Sequence, residues 1–131
     1  MSVPLMCICV GMVLPFIWAF STAPFRTKQL GRFDLQTPRH QGEQLTGAGA
    51  RAVGAQGNAW EALILFSAAN LGAFMTGVDP EGHWTMAAII WVGARLGHGI
   101  FYLMDLAPLR IAAFVIGTGM SFWIMVMALS Q

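Results

Sequence analysis

Hydrophobic and polar positions fall into long blocks along this chain, without the short alternations that mark strands. Ser2 to Phe20 is apolar and carries no charge, with Pro15 as a predicted kink. Thr22 to Thr46 is polar and holds Arg26, Lys28, Arg32 and Arg39, with Pro24 and Pro38 as breakers, so it predicts a long connection. A second apolar block, led in by Gly47, Ala48 and Gly49, continues to about Thr76. The stretch GVDPEGH, Gly77 to His83, reads as a turn. A third block runs from Trp84 to Met104. After the short DLAPLR connection, Asp105 to Arg110, a fourth uncharged block covers Ile111 to Leu129. Pro108 suits the first turn of that last helix. About 20 apolar residues cross roughly 30 Å of hydrocarbon as a helix. The pattern therefore predicts an all-α integral membrane four-helix bundle, a single domain over residues 1–131 with spans at about 2–20, 49–76, 84–104 and 111–129.

Composition strengthens this picture. Of 131 residues, 56% are hydrophobic and only 10% charged, against about 25% charged in a soluble domain. A net charge of +1 offers no basic surface for nucleic acid. Cys7 and Cys9, two apart on a helix, point to different faces and cannot bridge each other. His40, His83 and His98 lie in separate segments without ligand spacing, so no metal site is predicted. The first block lacks a basic leader and a small-x-small cleavage site, which predicts a retained span and not a signal peptide. Four basic residues sit in the first connection, and Arg51 and Arg110 adjoin the same side, whereas Gly77–His83 holds Asp79 and Glu81 and no Lys or Arg. The bias of basic residues then puts the first and third connections in the cytoplasm and both termini outside it. Small residues recur at helical spacing in Gly93–Gly97 and in the row Ala113, Gly117, Ser121. Such rows serve packing within a chain or between chains.

Polar residues inside the spans change the question from fold to chemistry. A charged side chain at a bilayer centre costs about 2.5–3.5 kcal/mol on an insertion scale. On a helical wheel Arg51, Asn58 and Glu61 fall within about 80° of one another, with Gly54 on the same face and Gln56 well away. In the third span Arg95, His98 and Tyr102 lie within about 60°, with Asp105 at the edge. Arg110 follows at the start of the fourth span. A Glu61–Arg95 ion pair that only fixes register, Asn58 bonded to a neighbouring helix, and Arg51 and Arg110 as headgroup anchors would account for single residues. The whole set exceeds what register needs. Arginines clamp carboxylates, Glu61 suits an ammonium and Asn58 suits a peptide amide. A cation beside a thiol lowers its pKa by about 1–3 units. This chemistry permits a thiol tripeptide such as glutathione without selecting it.

The segment RAVGAQGNAWEAL, Arg51 to Leu63, resembles the second-helix signature of the MAPEG family, the membrane-associated proteins in eicosanoid and glutathione metabolism. RLGHGIFYLMDLAPLR, Arg95 to Arg110, is similar to that family's third-helix end and following loop. The resemblance, nearest to bacterial members, implies homotrimers of four-helix subunits in a bacterial inner membrane. It also implies glutathione sites between subunits that open to the cytoplasm. Carried over by position, Asn58, Glu61 and Tyr102 would contact glutathione, Arg51 and Arg95 would shape the polar cavity, and Arg110 would hold the thiolate as the catalytic group. His98 matches a position of structural role. Gly54 stands where catalytic members commonly carry a second arginine, and Gln56 where many carry a histidine. The implied function is a membrane glutathione transferase or peroxidase, with glutathione as co-substrate and an apolar small molecule arriving from membrane lipid. The alternative is a non-catalytic lipid- or small-anion-binding protein of the same fold. A third reading makes the polar set the packing of a structural or transport assembly, although the first span lacks the acid a small exporter would place there.

Overall fold

The computed structural model describes residues 2–131, and among them every regular element is a helix. In chain order these are α1 (Val3–Ser21), α2 (Ala23–Leu30), α3 (Pro38–Glu43), α4 (Gly47–Thr76), α5 (His83–Leu103) and α6 (Ala107–Leu129). Four helical stretches are long and apolar enough to cross a membrane, with α1 and α2 forming one of them, so the protein is a multi-pass integral membrane protein. Pro4, Pro24, Pro38 and Pro108 all sit in first turns, where a missing N–H leaves no hydrogen bond unmade. Pro15 lies inside α1 and the helix continues through it. The α4 helix stops at Gly77, whose φ of 75° gives a left-handed cap.

Around the bundle the long helices follow the order α1, α4, α6, α5, with α4 and α5 also in contact across the middle. Alanine makes this close approach possible: Ala62, Ala69, Ala73, Ala87, Ala88 and Ala128 are all buried beside Phe66, Trp84, Trp91 and Ile124. Phe66 and Trp91 stack with ring centroids 3.9 Å apart. Asn70 is fully buried; its amide donates to Phe66 O at 2.7 Å and its Oδ1 accepts Trp84 Nε1 at 2.8 Å. Large apolar side chains such as Phe16, Ile64, Leu71, Val115 and Val126 cover the outside, as lipid contact requires. The two small-residue rows part company here. Ala113, Gly117 and Ser121 turn inward and are buried, whereas Gly93 faces open space.

The stretch read from sequence as a long polar connection is largely folded. Helix continues past Phe20 into α2, and Arg26 is the reason the segment after it closes back. Arg26 is only 7% exposed. It donates to Thr22 Oγ1 at 3.0 Å, Pro38 O at 2.6 Å and Gln41 Oε1 at 3.2 Å, and its guanidinium lies 5.0 Å from the Phe33 ring centre. Gln41 in turn donates to Arg32 O and accepts the N–H of Asp34. The segment therefore forms a cap over one end of α1 and α4.

Candidate functional site

The polar residues of α4 and α5 sort into three separate contacts and one lone carboxylate. The deepest contact belongs to Arg95, which is 4% exposed. Its Nη1 donates to Asn58 Oδ1 at 3.2 Å, and its Nη2 donates to Thr118 Oγ1 at 2.9 Å and Phe114 O at 3.4 Å. The guanidinium also lies 5.4 Å from the Phe114 ring centre and 5.9 Å from that of Trp91. Neutral acceptors and aromatic faces thus disperse a charge that no carboxylate meets. Gly117 makes room for it, since a Cβ there would stand 2.7 Å from Arg95 Nε. The Glu61–Arg95 ion pair considered from sequence is absent: Asn58 takes that place.

The second contact ties α4 to the end of α5. Arg51 Nε donates to Leu103 O at 3.4 Å, and Nη1 lies 3.5 Å from Asp105 Oδ2. Leu103 is the last residue of α5, so Arg51 meets a carbonyl the helix leaves unpaired. Asp105 follows with a φ of 60°, the left-handed turn that redirects the chain into α6. Its carboxylate is mostly exposed, so the ion pair adds little by itself. Arg51 is thereby engaged as a clasp on the α5–α6 connection.

In the third contact Tyr102 is the middle member. Its ring packs beside Leu14, Trp18 and Ala55. The Arg110 guanidinium stands over it, 4.4 Å from the ring centre, and His98 meets it edge-on at 5.5 Å and 77°. At its hydroxyl end lies Gly54, where a Cβ would come within 2.6 Å of the Tyr102 hydroxyl oxygen. The bare backbone at 54 is thus filled by a phenol from the next helix. Arg110 is half-buried and, among the described residues, its side chain makes no hydrogen bond or ion pair.

Glu61 is the lone carboxylate. It lies near the midpoint of α4, is exposed on its flank, and has no hydrogen-bond or ion-pair partner among the described residues. Gln56 faces elsewhere, into a cavity lined by Arg26, Phe33 and Arg39 under the cap. The structure therefore brings Arg51 to Asp105, Asn58 to Arg95, and Tyr102 to Arg110 and His98, and leaves Glu61 apart from all of them. Thr118 and Asn70 were missed from sequence. Each is a neutral polar residue inside an apolar span, and that oddity is the signal that could have found it.

Neither a curated protein nor a solved structure matches this chain. The sequence profile of the MAPEG family matches residues 3–130, nearly its whole length. With four membrane-length helices and both motif segments inside that match, the chain belongs to the MAPEG family.

Proposed function

We propose that this protein is a membrane glutathione transferase or peroxidase-like enzyme that works as a homotrimer. Glutathione is its co-substrate, bound between subunits on the cytoplasmic side, and the second substrate is an apolar electrophile that enters from lipid. One observation carries the reading: Arg110 and Glu61, of opposite charge, have neither a hydrogen-bond nor an ion-pair partner among the described residues, in a helical bundle that can ill spare either. A zwitterionic tripeptide offers a carboxylate or thiolate to one and an ammonium to the other. Asn58, with its Oδ1 already held by Arg95, keeps its amide N–H groups for a peptide carbonyl.

The chemistry assigned to Arg110 is electrostatic. Its charge favours the thiolate of bound glutathione, and the thiol proton leaves to solvent at the cytoplasmic face. The sulfur lone pair then forms a C–S bond to the electrophilic carbon. The bond from that carbon to its leaving group, or to an epoxide oxygen, breaks and takes the electron pair. Arg51 and Asp105 hold the α5–α6 connection that delivers Arg110.

The test is glutathione binding to purified protein in detergent, read by ultraviolet absorbance of the thiolate, for wild type beside Arg110→Ala. We expect a thiolate signal in the wild type that vanishes in the variant, whose bound thiol should titrate about 1–3 units higher. Glutathione binding with an unchanged thiolate signal in Arg110→Ala overturns the role of Arg110. A second reading, binding of lipid or a small anion without catalysis, is favoured by Gly54, which provides no cation for a second carboxylate. Absence of binding at millimolar glutathione would select it.

A further inference from the structure

We propose that Gly54 is a positioning residue: by leaving the α4 backbone bare it seats the Tyr102 ring, and through that ring it sets where the Arg110 guanidinium stands. The inference rests on the proposed role of Arg110, and it adds the element that places that group. Glycine is a poor choice for a helix interior on conformational grounds. The neighbouring turns of α4 use alanine when they need only a small residue, as at the buried Ala52 and Ala55. At 54 alanine would not fit. A Cβ would stand 2.6 Å from Tyr102 Oη, 2.8 Å from Cζ and 3.3 Å from Cε1. The contact runs along the polar end of the ring, so one methyl group must push the whole phenol outward.

The phenol has few other places to go. His98 meets its ring edge-on, and Leu14, Trp18 and Ala55 pack around it. Trp18 is itself sunk against Gly99 of α5, where a Cβ would overlap its ring. The backbone that carries Tyr102 is pinned from α4 by the Arg51 bond to Leu103 O. Over the ring stands the Arg110 guanidinium, 4.4 Å from its centre, so a displaced ring displaces it. The backbone of Gly54 meets the hydroxyl end of the phenol and the guanidinium stands over its ring, so the seat that Gly54 allows the phenol sets the place of the guanidinium. A basic side chain at 54 and the Tyr102 ring in its present seat exclude each other, so this site trades a second cation for a phenol wall.

Tyr102 is the only tyrosine of the chain, so incorporation of 3-fluorotyrosine gives a single fluorine resonance that reports its seat. That resonance should move in Gly54→Ala. It should stay in place in Gly93→Ala, the same substitution where a Cβ meets nothing within 4 Å. Glutathione should bind Gly54→Ala about tenfold more weakly, as expected for the loss of one charge-assisted hydrogen bond from the displaced guanidinium. In a Tyr102→Leu background, Gly54→Ala should produce no further loss. An unmoved resonance in Gly54→Ala overturns the proposal, as does an equal loss of binding with and without the phenol. If Gly54→Ala does not fold, Gly54→Ala/Tyr102→Leu must, because it removes the ring that the Cβ meets; failure of both overturns the proposal as well. Absence of glutathione binding by the wild type would defeat the proposed function alone, and the fluorine resonance would still decide the seating of Tyr102.

Discussion

At the scale of single residues, the buried side-chain hydrogen bonds of Asn70 with Trp84 and of Arg95 with Asn58 and Thr118 each join two helices, whereas the buried Trp91 Nε1 and Arg95 Nε find no acceptor among the described residues. Between Trp84 of α5 and Asn70 of α4 the indole N–H has no other acceptor and Asn70 Oδ1 no other donor. Replacing Trp84 by Phe keeps the ring and removes the donor, and replacing Asn70 by Ala removes the acceptor. A double-mutant cycle of Asn70→Ala and Trp84→Phe, read by reversible unfolding in mixed micelles, should give a coupling of about 0.6–1.7 kcal/mol, the range for hydrogen bonds between membrane helices. A coupling indistinguishable from zero would mean that each partner finds a substitute. Arg95 links α5 to α4 and α6 in the same way through Asn58 and Thr118. The sequence made Arg95 and Asn58 conspicuous, because a wheel places each on a polar face. It could not choose between Asn58 and Glu61 as the partner, nor name Thr118. Those depend on how α4, α5 and α6 rotate about their own axes, which is decided by packing, as where the bare Gly117 of α6 admits the Arg95 guanidinium.

At the scale of elements, the long helices were legible and the cap between α1 and α4 was not. A span announces itself by a run of apolar residues, whereas α2 and α3 are short, polar and held by tertiary bonds from Arg26 and Gln41. Asp34 organises the turn that leads into α3. It accepts Thr37 Oγ1 at 2.6 Å, Gln36 N at 2.8 Å and Thr37 N at 3.1 Å. The hydroxyl of Thr37, then the two backbone N–H groups, with a smaller contribution from Arg32, hold its carboxyl below the usual carboxylate range. A lowered pKa means that the folded turn favours the ionised form. The stabilisation is therefore complete above the ordinary value of about 3.9 and fades as pH falls through the lowered one. The amide resonances of Gln36 and Thr37 should titrate together with a midpoint under about 3.9, and Asp34→Asn should abolish that transition. A midpoint at or above the ordinary value would show that the ionised carboxylate does not hold the turn.

At the scale of the whole molecule, the decisive feature is what the single chain leaves undone. Glu61 sits midway along a helix of 30 residues, on a flank with no partner among the described residues. Exposure of such a carboxylate to hydrocarbon would cost about 2.5–3.5 kcal/mol even on a lenient scale. Close association through that face of α4 would hide Glu61 and turn its charge inward, where a polar ligand can meet it. Gly57 lies one turn before Glu61, is exposed, and has open space around its Cα. In the homotrimer we propose, this position faces a neighbouring subunit. Cys9, which is exposed on α1, is first changed to Ser, while Cys7 is buried and stays. Gly57→Cys in that background should cross-link chains in native membranes, and native mass spectrometry of the uncross-linked protein in mild detergent should give a species of three chains. Glu61→Leu should retain that assembly while losing glutathione, because the carboxylate is assigned to the ligand and the helix face to the contact. A monomer by mass, together with no cross-link from position 57, would leave Glu61 facing lipid and remove the basis for a site between subunits.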